Sequence, residues 1–265
     1  MSKLYFFRHG QASLGADNYD VLSPKGREQA SLLGDYLVRE KLNFDQVFVG
    51  PLERQKDTYK GVKECYEDNE FAFPAALEIK GLKEHQGIKA MKIALPALME
   101  TDEYLKKLSL SSKQNPSLAI RNGMLGFQYF LGNWAEGHFS VDGIPSWKSF
   151  REEVREGLEE ILAATQKGEN VALFTSGGTI SAITAECLGL PTEKAVAELN
   201  FSIRNTSFTT FLLTGEKFNL LSFNELPHLK KRHDHFCVTL SYGKKKHPAR
   251  AKRHTRIKTT PSFSN

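Results

Sequence analysis

The order of short apolar runs and helical patterns is the feature that most constrains the fold of this chain. Apolar runs of strand length lie at 3–7, 46–50, 76–82 and 170–175, and two more follow at 207–213 and 218–223. Helical patterns that open at Ser23-Pro24 and at Pro51 separate the early runs. Strands that alternate with helices predict an α/β fold, a three-layer sandwich with a mainly parallel central sheet and helices on both faces.

Residues 85–145 interrupt this alternation. The segment is helical in patches and contains prolines at 96, 116 and 145. We interpret it as a helical cap insertion over one end of the sheet. An amphipathic helix at 146–166, with Ser146 as its N-cap, then returns the chain to the core. The predicted domain therefore spans residues 1–240, with the cap insertion at about 85–145.

The last 25 residues differ from the rest of the chain in charge. Residues 241–265 contain eight Lys and Arg residues and no Asp or Glu, so a net charge of +5 for the whole chain leaves −3 for residues 1–240. This basic tail is poor in apolar residues and is predicted to be disordered. A solvated tail is the simpler interpretation. The alternative is a tail that binds nucleic acid or an anionic surface, although its two aromatic residues, Tyr242 and Phe263, offer no stacking platform.

Cysteine content and hydropathy predict a cytoplasmic protein. The three cysteines, Cys65, Cys187 and Cys237, are odd in number and far apart, which suggests no disulfide framework. The first apolar run reaches Arg8 after four residues and is too short for a signal-peptide core. No run approaches the length of a membrane-spanning helix, and nothing in the sequence indicates an oligomeric state.

Two strand ends carry residues suited to an anion. Arg8, His9 and Gly10 directly follow the first apolar run, and the sequence TSGG at 175–178 ends the run at 170–175. Ligands of open parallel sheets bind outside the carboxyl ends of the strands. An arginine fork matches phosphate oxygens, a neutral histidine can act as a nucleophile, and a glycine turn at a helix N-terminus can hold an anion. Both ends therefore predict an anion site at one edge of the sheet.

Four segments in this order resemble the histidine phosphatase superfamily, which includes the cofactor-dependent phosphoglycerate mutases. They read RHGQASLGADNYDVLSPKGREQA from residue 8, VFVGPLERQKDT from 47, GLKEHQG from 81 and LFTSGGTISA from 173. RHG alone is a weak signal, but the four segments in order are specific. The resemblance covers roughly residues 3–228, and the cap insertion matches only loosely.

The resemblance implies a role for each matching residue. His9 is the expected nucleophile and becomes a phosphohistidine, Arg8 and Arg54 hold phosphate oxygens, and Glu84 protonates the leaving group. The residues expected to bind substrate, besides the two arginines, are Gln11, Ser176 and Gly177. Because phosphoryl transfer of this kind needs mainly positioning and charge neutralisation, no metal ion and no cofactor is predicted.

Two positions depart from the family pattern. Gly50 replaces the serine of a Ser-Pro-Leu-x-Arg pattern, and Ser176 replaces the second histidine of a Ser-His-Gly-Gly type of sequence. A hydrogen bond from a neutral donor is worth about 1 kcal/mol less than one from a charged donor, which predicts a loss of about tenfold in rate. Ser176 either donates such a neutral bond to the phosphoryl group or only caps the following helix.

These residues predict a phosphatase, a phosphomonoester hydrolase that acts through a phosphohistidine on a small phosphorylated substrate. The first alternative is a phosphoglycerate mutase-like phosphotransferase, but the lysines of the cap insertion are scattered and form no second phosphate clamp. The other alternative is a weakly active or inactive pseudophosphatase that binds a phospho-ligand, which the replacements at positions 50 and 176 favour.

Other histidines are weaker candidates. His85 and His228 are interpreted as ordinary loop histidines that do not touch substrate. His233, His235 and Cys237 are compatible with a metal, but they have no clear fourth ligand. We therefore assign no function to these positions.

Overall fold

The computed structural model describes residues 1–13 and 20–229 with their side chains, and residues 255–257 as backbone. The strands are β1 Ser2–Arg8, β2 Gln46–Val49, β3 Ala76–Glu78, β4 Phe139–Val141, β5 Asn170–Thr175, β6 Phe208–Thr214, β7 Lys217–Glu225 and β8 Thr255–Ile257. The helices are α1 Pro24–Arg39, α2 Glu53–Asp68, α3 Gly87–Thr101, α4 Glu103–Gln114, α5 Ala119–Ala135, α6 Trp147–Ala164, α7 Gly177–Leu188 and α8 Glu193–Asn200.

Six strands form the central sheet in the order β3-β2-β5-β1-β6-β7. β1, β2, β3 and β5 run parallel to one another, whereas β6 and β7 are antiparallel additions beside β1. The predicted α/β fold with a mainly parallel central sheet is confirmed. The parallel order brings the carboxyl ends of β1, β2 and β5 to the same edge, where each strand delivers one of the motif segments.

The central strands are buried, which explains their uninterrupted apolar sequences. Phe6 and Phe7 of β1 are 0% exposed, and residues 171–175 of β5 are all buried. Phe7 stacks on Phe174 across the two strands, with ring centroids 5.1 Å apart. The same cluster includes residues of α1 and α2, among them Leu33, Leu37, Val62 and Tyr66. This packing fixes the ends of β1 and β5, where the motif residues begin.

The chain divides into two compact units. The first unit consists of Met1–Glu84, Arg151–Leu190 and Leu199–Val238, and it contains the central sheet. The second unit consists of His85–Phe150, Pro191–Glu198 and Thr239–Asn265. Its core is aromatic, with Phe130, Trp134 and Trp147 each no more than 3% exposed. The predicted domain boundaries, and the role of the insertion as a cap, stay predictions.

Predicted helix starts agree with the structure at two serines. Ser23 Oγ accepts a hydrogen bond from Gly26 N at 3.0 Å, and Ser146 Oγ accepts one from Ser149 N at 3.1 Å. Each bond satisfies one of the N–H groups that the first turn of a helix leaves without a partner. The predicted N-caps of α1 and α6 are therefore confirmed.

One strand boundary and one helix differ from the sequence prediction. The third strand was expected to reach residue 82 but ends at Glu78, because β2, the strand it pairs with, itself ends at Val49. A single turn of 3-10 helix, Lys80–Leu82, follows it. α8 was not predicted, although Thr192 Oγ1 accepts a hydrogen bond from Ala195 N at 3.2 Å, as an N-cap does.

The basic tail lies almost wholly outside the described residues. Its residues Thr255–Ile257 form β8, whose backbone pairs in parallel with β4. The predicted disorder of the tail stays a prediction. His233, His235 and Cys237 also lie outside the described residues. None of the helices described in the structure is long and apolar enough to cross a membrane.

Candidate active site

The backbone of Arg8 and His9 is held at the end of β1 by its neighbours. Arg8 pairs with Thr175 of β5, and His9 N donates to Thr175 O at 2.9 Å. On the other side, Asn205 Nδ2 donates to His9 O at 3.1 Å. Because both sides of this strand end are bonded, the two side chains leave the sheet in fixed directions.

The His9 ring is buried, with 4% of the residue exposed, and both of its nitrogens have partners. Arg54 Nε lies 3.0 Å from Nε2, and Gly10 O lies 2.7 Å from Nδ1. An arginine N–H can only donate and a carbonyl oxygen can only accept. The bonding pattern therefore assigns the proton to Nδ1 and the lone pair to Nε2.

The surroundings of His9 keep its ring neutral. Burial lowers the pKa of His9 well below its ordinary value of 6.5, and the positive charges of Arg54 and Arg8 lower this pKa further. The hydrogen bond to Gly10 O acts in the opposite direction and is the smallest of these influences. The folded protein therefore presents an uncharged imidazole at neutral pH, which is the form a nucleophile requires.

Arg54 reaches His9 from the first turn of α2. Its side chain is 7% exposed, and its Nη1 donates to Asp20 Oδ1 at 2.6 Å. Asp20 Oδ2 also accepts a hydrogen bond from Glu53 N at 3.1 Å, so the same carboxylate lies against the N-terminus of α2. Asp20 thus fixes one end of the guanidinium group while Nε points at the imidazole.

The Arg8 side chain lies against the start of α7. Its Nη1 donates to Ile203 O, and its Nε is buried without a hydrogen-bond partner among the described residues. A Cβ on Gly177 would lie 3.4 Å from Arg8 Nε and 2.5 Å from Asn200 Oδ1. Glycine at 177 therefore allows Arg8 and Asn200 to approach the helix terminus closely.

Glu84 is placed at the same helix terminus. Its Oε2 accepts a hydrogen bond from Gly178 N at 3.2 Å, and the neighbouring Lys83 O accepts one from Thr179 Oγ1. The residue is half-buried. The N-terminus of α7, which the sequence predicted to hold an anion, thus donates to the carboxylate of the predicted proton donor.

Ser176 is fully buried at the end of β5. It occupies the N-cap position of α7, but its side chain accepts no capping hydrogen bond, so the alternative that it only caps the helix is wrong. Its Oγ accepts instead from Gln55 Nε2 at 2.8 Å. The expected contact between Ser176 and a phosphoryl group stays a prediction.

Gln11 lies beyond His9 and turns towards α1. Its Oε1 accepts a hydrogen bond from Ser23 Oγ at 3.0 Å, and its backbone N donates to Gln29 Oε1 at 2.9 Å. The side chain is therefore bonded to the residue that caps α1. A substrate contact for Gln11 also stays a prediction.

The two other histidines that the structure describes near motif segments are buried. His228 Nε2 lies 2.9 Å from Thr206 Oγ1 within the first unit. His85 belongs to the second unit, where its ring packs against Trp147 with centroids 5.3 Å apart and its Nδ1 accepts from Gly87 N. Packing in these two cores accounts for both rings.

Three residues of the site were missed by sequence reasoning: Asp20, Gln55 and Asn205. Gln55 carried a usable signal, because glutamine at the third position of a helix often bonds back to the N-cap backbone, as it does here to Leu52 N at 3.1 Å. Asp20 and Asn205 carry no comparable local signal. Among the described residues, no group of three or more His, Cys, Asp or Glu side chains could hold a metal ion.

The fold is similar to those of several solved structures, two of them named as phosphatases. The match to Bacillus stearothermophilus YhfR has 17% identity and a TM-score of 0.59, covering 86% of this chain and 99% of that one. The α-ribazole phosphatase of Shigella flexneri matches with 18% identity and a TM-score of 0.54, covering 84% and 96%. A phosphoserine phosphatase mutant of Entamoeba histolytica in complex with phosphoserine matches with 20% identity and a TM-score of 0.52, covering 86% and 100%.

The match to a family profile includes most of the segments that form the candidate site. A comparison with curated proteins gave no match. The profile of the histidine phosphatase superfamily (branch 1) matches residues 4–78 and 126–226, which is more than half of the chain and includes His9 and the segments of α2 and α7. The chain belongs to the histidine phosphatase superfamily.

Proposed function

We propose that this protein is a phosphatase that hydrolyses a small phosphorylated substrate through a phosphohistidine at His9. One observation carries the proposal: the buried His9 ring has its lone pair on Nε2, and the positive charges of Arg54 and Arg8 act on it. A neutral imidazole between two permanent cations can attack phosphorus while the arginines neutralise the phosphoryl oxygens.

In the first half-reaction, Nε2 of His9 forms a bond to phosphorus as the bond between phosphorus and the ester oxygen breaks. Arg54 Nε, which donates to Nε2 in this structure, transfers its hydrogen bond to a phosphoryl oxygen and so releases the lone pair. The Nδ1–H group keeps donating to Gly10 O and stabilises the charge that the ring acquires. Arg8 Nε is a buried donor for a second phosphoryl oxygen.

Glu84 supplies and then recovers one proton. Its protonated carboxyl donates to the leaving oxygen, which departs as an alcohol. In the second half-reaction water attacks phosphorus, Glu84 accepts the proton of that water, and the bond between phosphorus and Nε2 breaks to release inorganic phosphate. The hydrogen bond from Gly178 N to Oε2 holds the carboxyl group at the start of α7 during both steps. Gly177 and Ser176 support the phosphoryl site at the same helix terminus.

We propose that the reaction requires no metal ion. The two arginines provide fixed positive charges, and the N–H groups at the start of α7 add a partial positive charge. Preorganised donors of this kind stabilise the charge that develops on a transferring phosphoryl group. The chain's own groups therefore meet the electrostatic demand of the reaction.

We propose a cytoplasmic location from the state of the cysteines. Cys65 and Cys187, the two cysteines within the described residues, are free thiols. Free thiols persist in reducing compartments. Secretion of the protein in an oxidised form would contradict this location.

The structural neighbours guide the choice of test substrates. By their names they act on phosphoserine, α-ribazole phosphate and glucosyl-3-phosphoglycerate, which are all small phosphomonoesters. We propose a substrate of the same size class for this chain. Identities of 18–20% to the three neighbours with these names leave its chemical nature to experiment.

A second candidate, a phospho-ligand binder with little turnover, is favoured by one observation. The residue in the slot of the second family histidine, Ser176, is 0% exposed and its Oγ is bonded to Gln55. No charged side chain from the end of β5 therefore assists at the phosphoryl group. Such a protein would bind phosphate esters through Arg8 and Arg54 but turn them over slowly.

Phosphate release from a panel of phosphosugars, phosphoamino acids and nucleotides, measured with a chelator present, tests the proposal. We expect release by the wild type and by a matched control, His138→Ala, whose imidazole lies in the second unit. We expect none above background from His9→Ala. Wild-type release equal to that of His9→Ala on every substrate would favour the binder. If His9 is phosphorylated with a radioactive phosphate ester, transfer of the labelled phosphoryl group from His9 to a second acceptor would favour the mutase alternative.

A further inference from the structure

Gln55 has a fully buried side chain to which the family resemblance assigns no role. It follows Arg54 in the first turn of α2 and is 0% exposed. Its Oε1 accepts from Leu52 N at 3.1 Å, and its Nε2 donates to Leu82 O and to Ser176 Oγ, both at 2.8 Å. The amide thus has a partner on each of its hydrogen-bonding groups.

Two backbone groups fix the orientation of this amide. The Leu52 N–H group can only donate, so it must face Oε1, and the Leu82 carbonyl can only accept, so it must face Nε2. The remaining hydrogen on Nε2 is the one that points at Ser176 Oγ. Ser176 is therefore the acceptor in this bond.

The absence of a side chain at position 50 follows from the same amide. A Cβ on Gly50 would lie 2.1 Å from Gln55 Oε1 and 2.7 Å from Leu82 O. Both distances are far below van der Waals contact. A serine therefore does not fit at position 50 while the Gln55 amide and the Leu82 carbonyl that it binds hold their present positions.

The absence of a histidine at position 176 has a similar cause. Ser176 Oγ lies 2.8 Å from Gln55 Nε2, and the residue is 0% exposed. An imidazole that followed the direction of the hydroxyl would run into the amide. A histidine in this orientation therefore requires the Gln55 amide to move.

We infer that Gly50, Gln55 and Ser176 form one interdependent set, the Gln55 cluster, and that Gln55 is a positioning residue for the proposed reaction. Its three hydrogen bonds connect three segments of the proposed site. One bond is to the start of α2, which carries Arg54. The second is to the segment that leads to Glu84, and the third is to the residue that precedes α7. Glycine at position 50 and serine at position 176 both leave room for this one buried glutamine. The positioning role rests on the proposed function, whereas the interdependence does not.

Thermal unfolding of the full chain tests the interdependence without any assay of activity. Gly50→Ser and Ser176→His are each measured alone and together with Gln55→Ala. We expect each to lower Tm by at least about 2 °C more in the presence of Gln55 than in the Gln55→Ala background. If a single variant does not fold, recovery of folded protein in the Gln55→Ala background gives the same support. Additive shifts, or failure to fold in both backgrounds, would overturn the inference.

Kinetics test the positioning role separately. We expect Gln55→Leu, which preserves bulk but removes the three bonds, to lower kcat about 10- to 100-fold with KM changed less than about threefold. The matched control is Gln46→Leu, whose side chain bonds to Ala164 O and Glu169 in the same unit and should leave kcat unchanged. An unchanged kcat in Gln55→Leu would overturn the positioning role. A wild type without turnover would refute the proposed function, and the unfolding experiment would still decide the interdependence.

Discussion

The carboxyl ends of β1 and β5 lie side by side in the sheet but are built differently. At the end of β1, His9 keeps a lone pair on Nε2 and Arg8 keeps a buried Nε without a partner among the described residues. At the end of β5, Thr175 Oγ1 donates to Leu82 O at 2.6 Å and Ser176 Oγ accepts from Gln55. The side chains of one end are suited to a ligand, and those of the other are bonded within the protein.

This difference separates two kinds of contribution to the proposed site. The β1 end preserves the side chains that perform the proposed chemistry. The β5 end contributes mainly the backbone N–H groups at the start of α7, where Gly178 N donates to Glu84. We therefore expect substitutions at the β1 end to abolish catalysis and substitutions at the β5 end to weaken it.

The largest effect is expected at His9. His9→Ala should lower kcat/KM by about 10⁴-fold or more, because no nucleophile remains to form the covalent intermediate. Labelling with a radioactive phosphate ester should give an acid-labile phosphoprotein in the wild type and in Ser176→Ala, but none in His9→Ala. A label that persists in His9→Ala would place the nucleophile elsewhere and break the contrast between the two strand ends.

Glu84→Gln should lower kcat by about 10²- to 10⁴-fold for alkyl phosphates, since an amide cannot donate a proton to the leaving oxygen. The loss should be smaller for p-nitrophenyl phosphate, whose leaving group departs without protonation. Glu78→Gln, at an exposed residue of β3 that pairs with Lys56, is the matched control. Equal losses on both substrates would mean that Glu84 is not the proton donor.

Arg54→Gln should lower kcat/KM by about 10²-fold, because a charge-bearing donor to the phosphoryl group is lost. It should also raise the pKa of His9, since the charge of Arg54 is one cause of the lowered value. Kinetics and an NMR titration of the His9 ring measure the two effects. Arg27→Gln, at a mostly exposed arginine of α1, is the control, and an unchanged His9 pKa in Arg54→Gln would refute the coupling.

The stability of the wild type should fall as the pH drops below about 6.5. The unfolded chain binds a proton at His9 near that value, whereas the folded chain binds it only at a lower pH. The free energy of unfolding therefore decreases as the pH falls from the unfolded-state pKa to the folded-state pKa. The slope for one proton is about 1.4 kcal/mol per pH unit. Denaturant unfolding at several pH values should show a weaker decline in His9→Asn. Identical slopes would contradict the lowered pKa.

The smallest effect is expected at Ser176. Ser176→Ala should lower kcat less than about tenfold, because the buried hydroxyl contributes through one neutral hydrogen bond. Ser181→Ala, at another fully buried serine in α7, is the control. A loss above about 100-fold would show that the hydroxyl contacts the phosphoryl group directly, and the two strand ends would then be functionally equivalent.

Much of the fold and part of the site could be predicted from local patterns. Apolar runs and capping serines indicated the strands and the starts of α1 and α6, since their signals lie within a few neighbouring residues. The motifs indicated Arg8, His9, Arg54 and Glu84, because the resemblance to the family implies a role for each of them. Asp20 could not be assigned a role in the site, because that role depends on its contact with Arg54, which is 34 positions away in the sequence.

The sequence by itself determined which side chains stand at the strand ends, and it identified glycine at 50 and serine at 176 as departures from the family. Only the tertiary structure shows that both positions lie against the Gln55 side chain. The bond between Gln55 and Ser176 joins residues 121 positions apart, and the clash that excludes a Cβ at Gly50 depends on where that buried amide lies. Periodicity and motifs report local conformation, whereas the occupancy of a close-packed interior depends on all the segments that meet there.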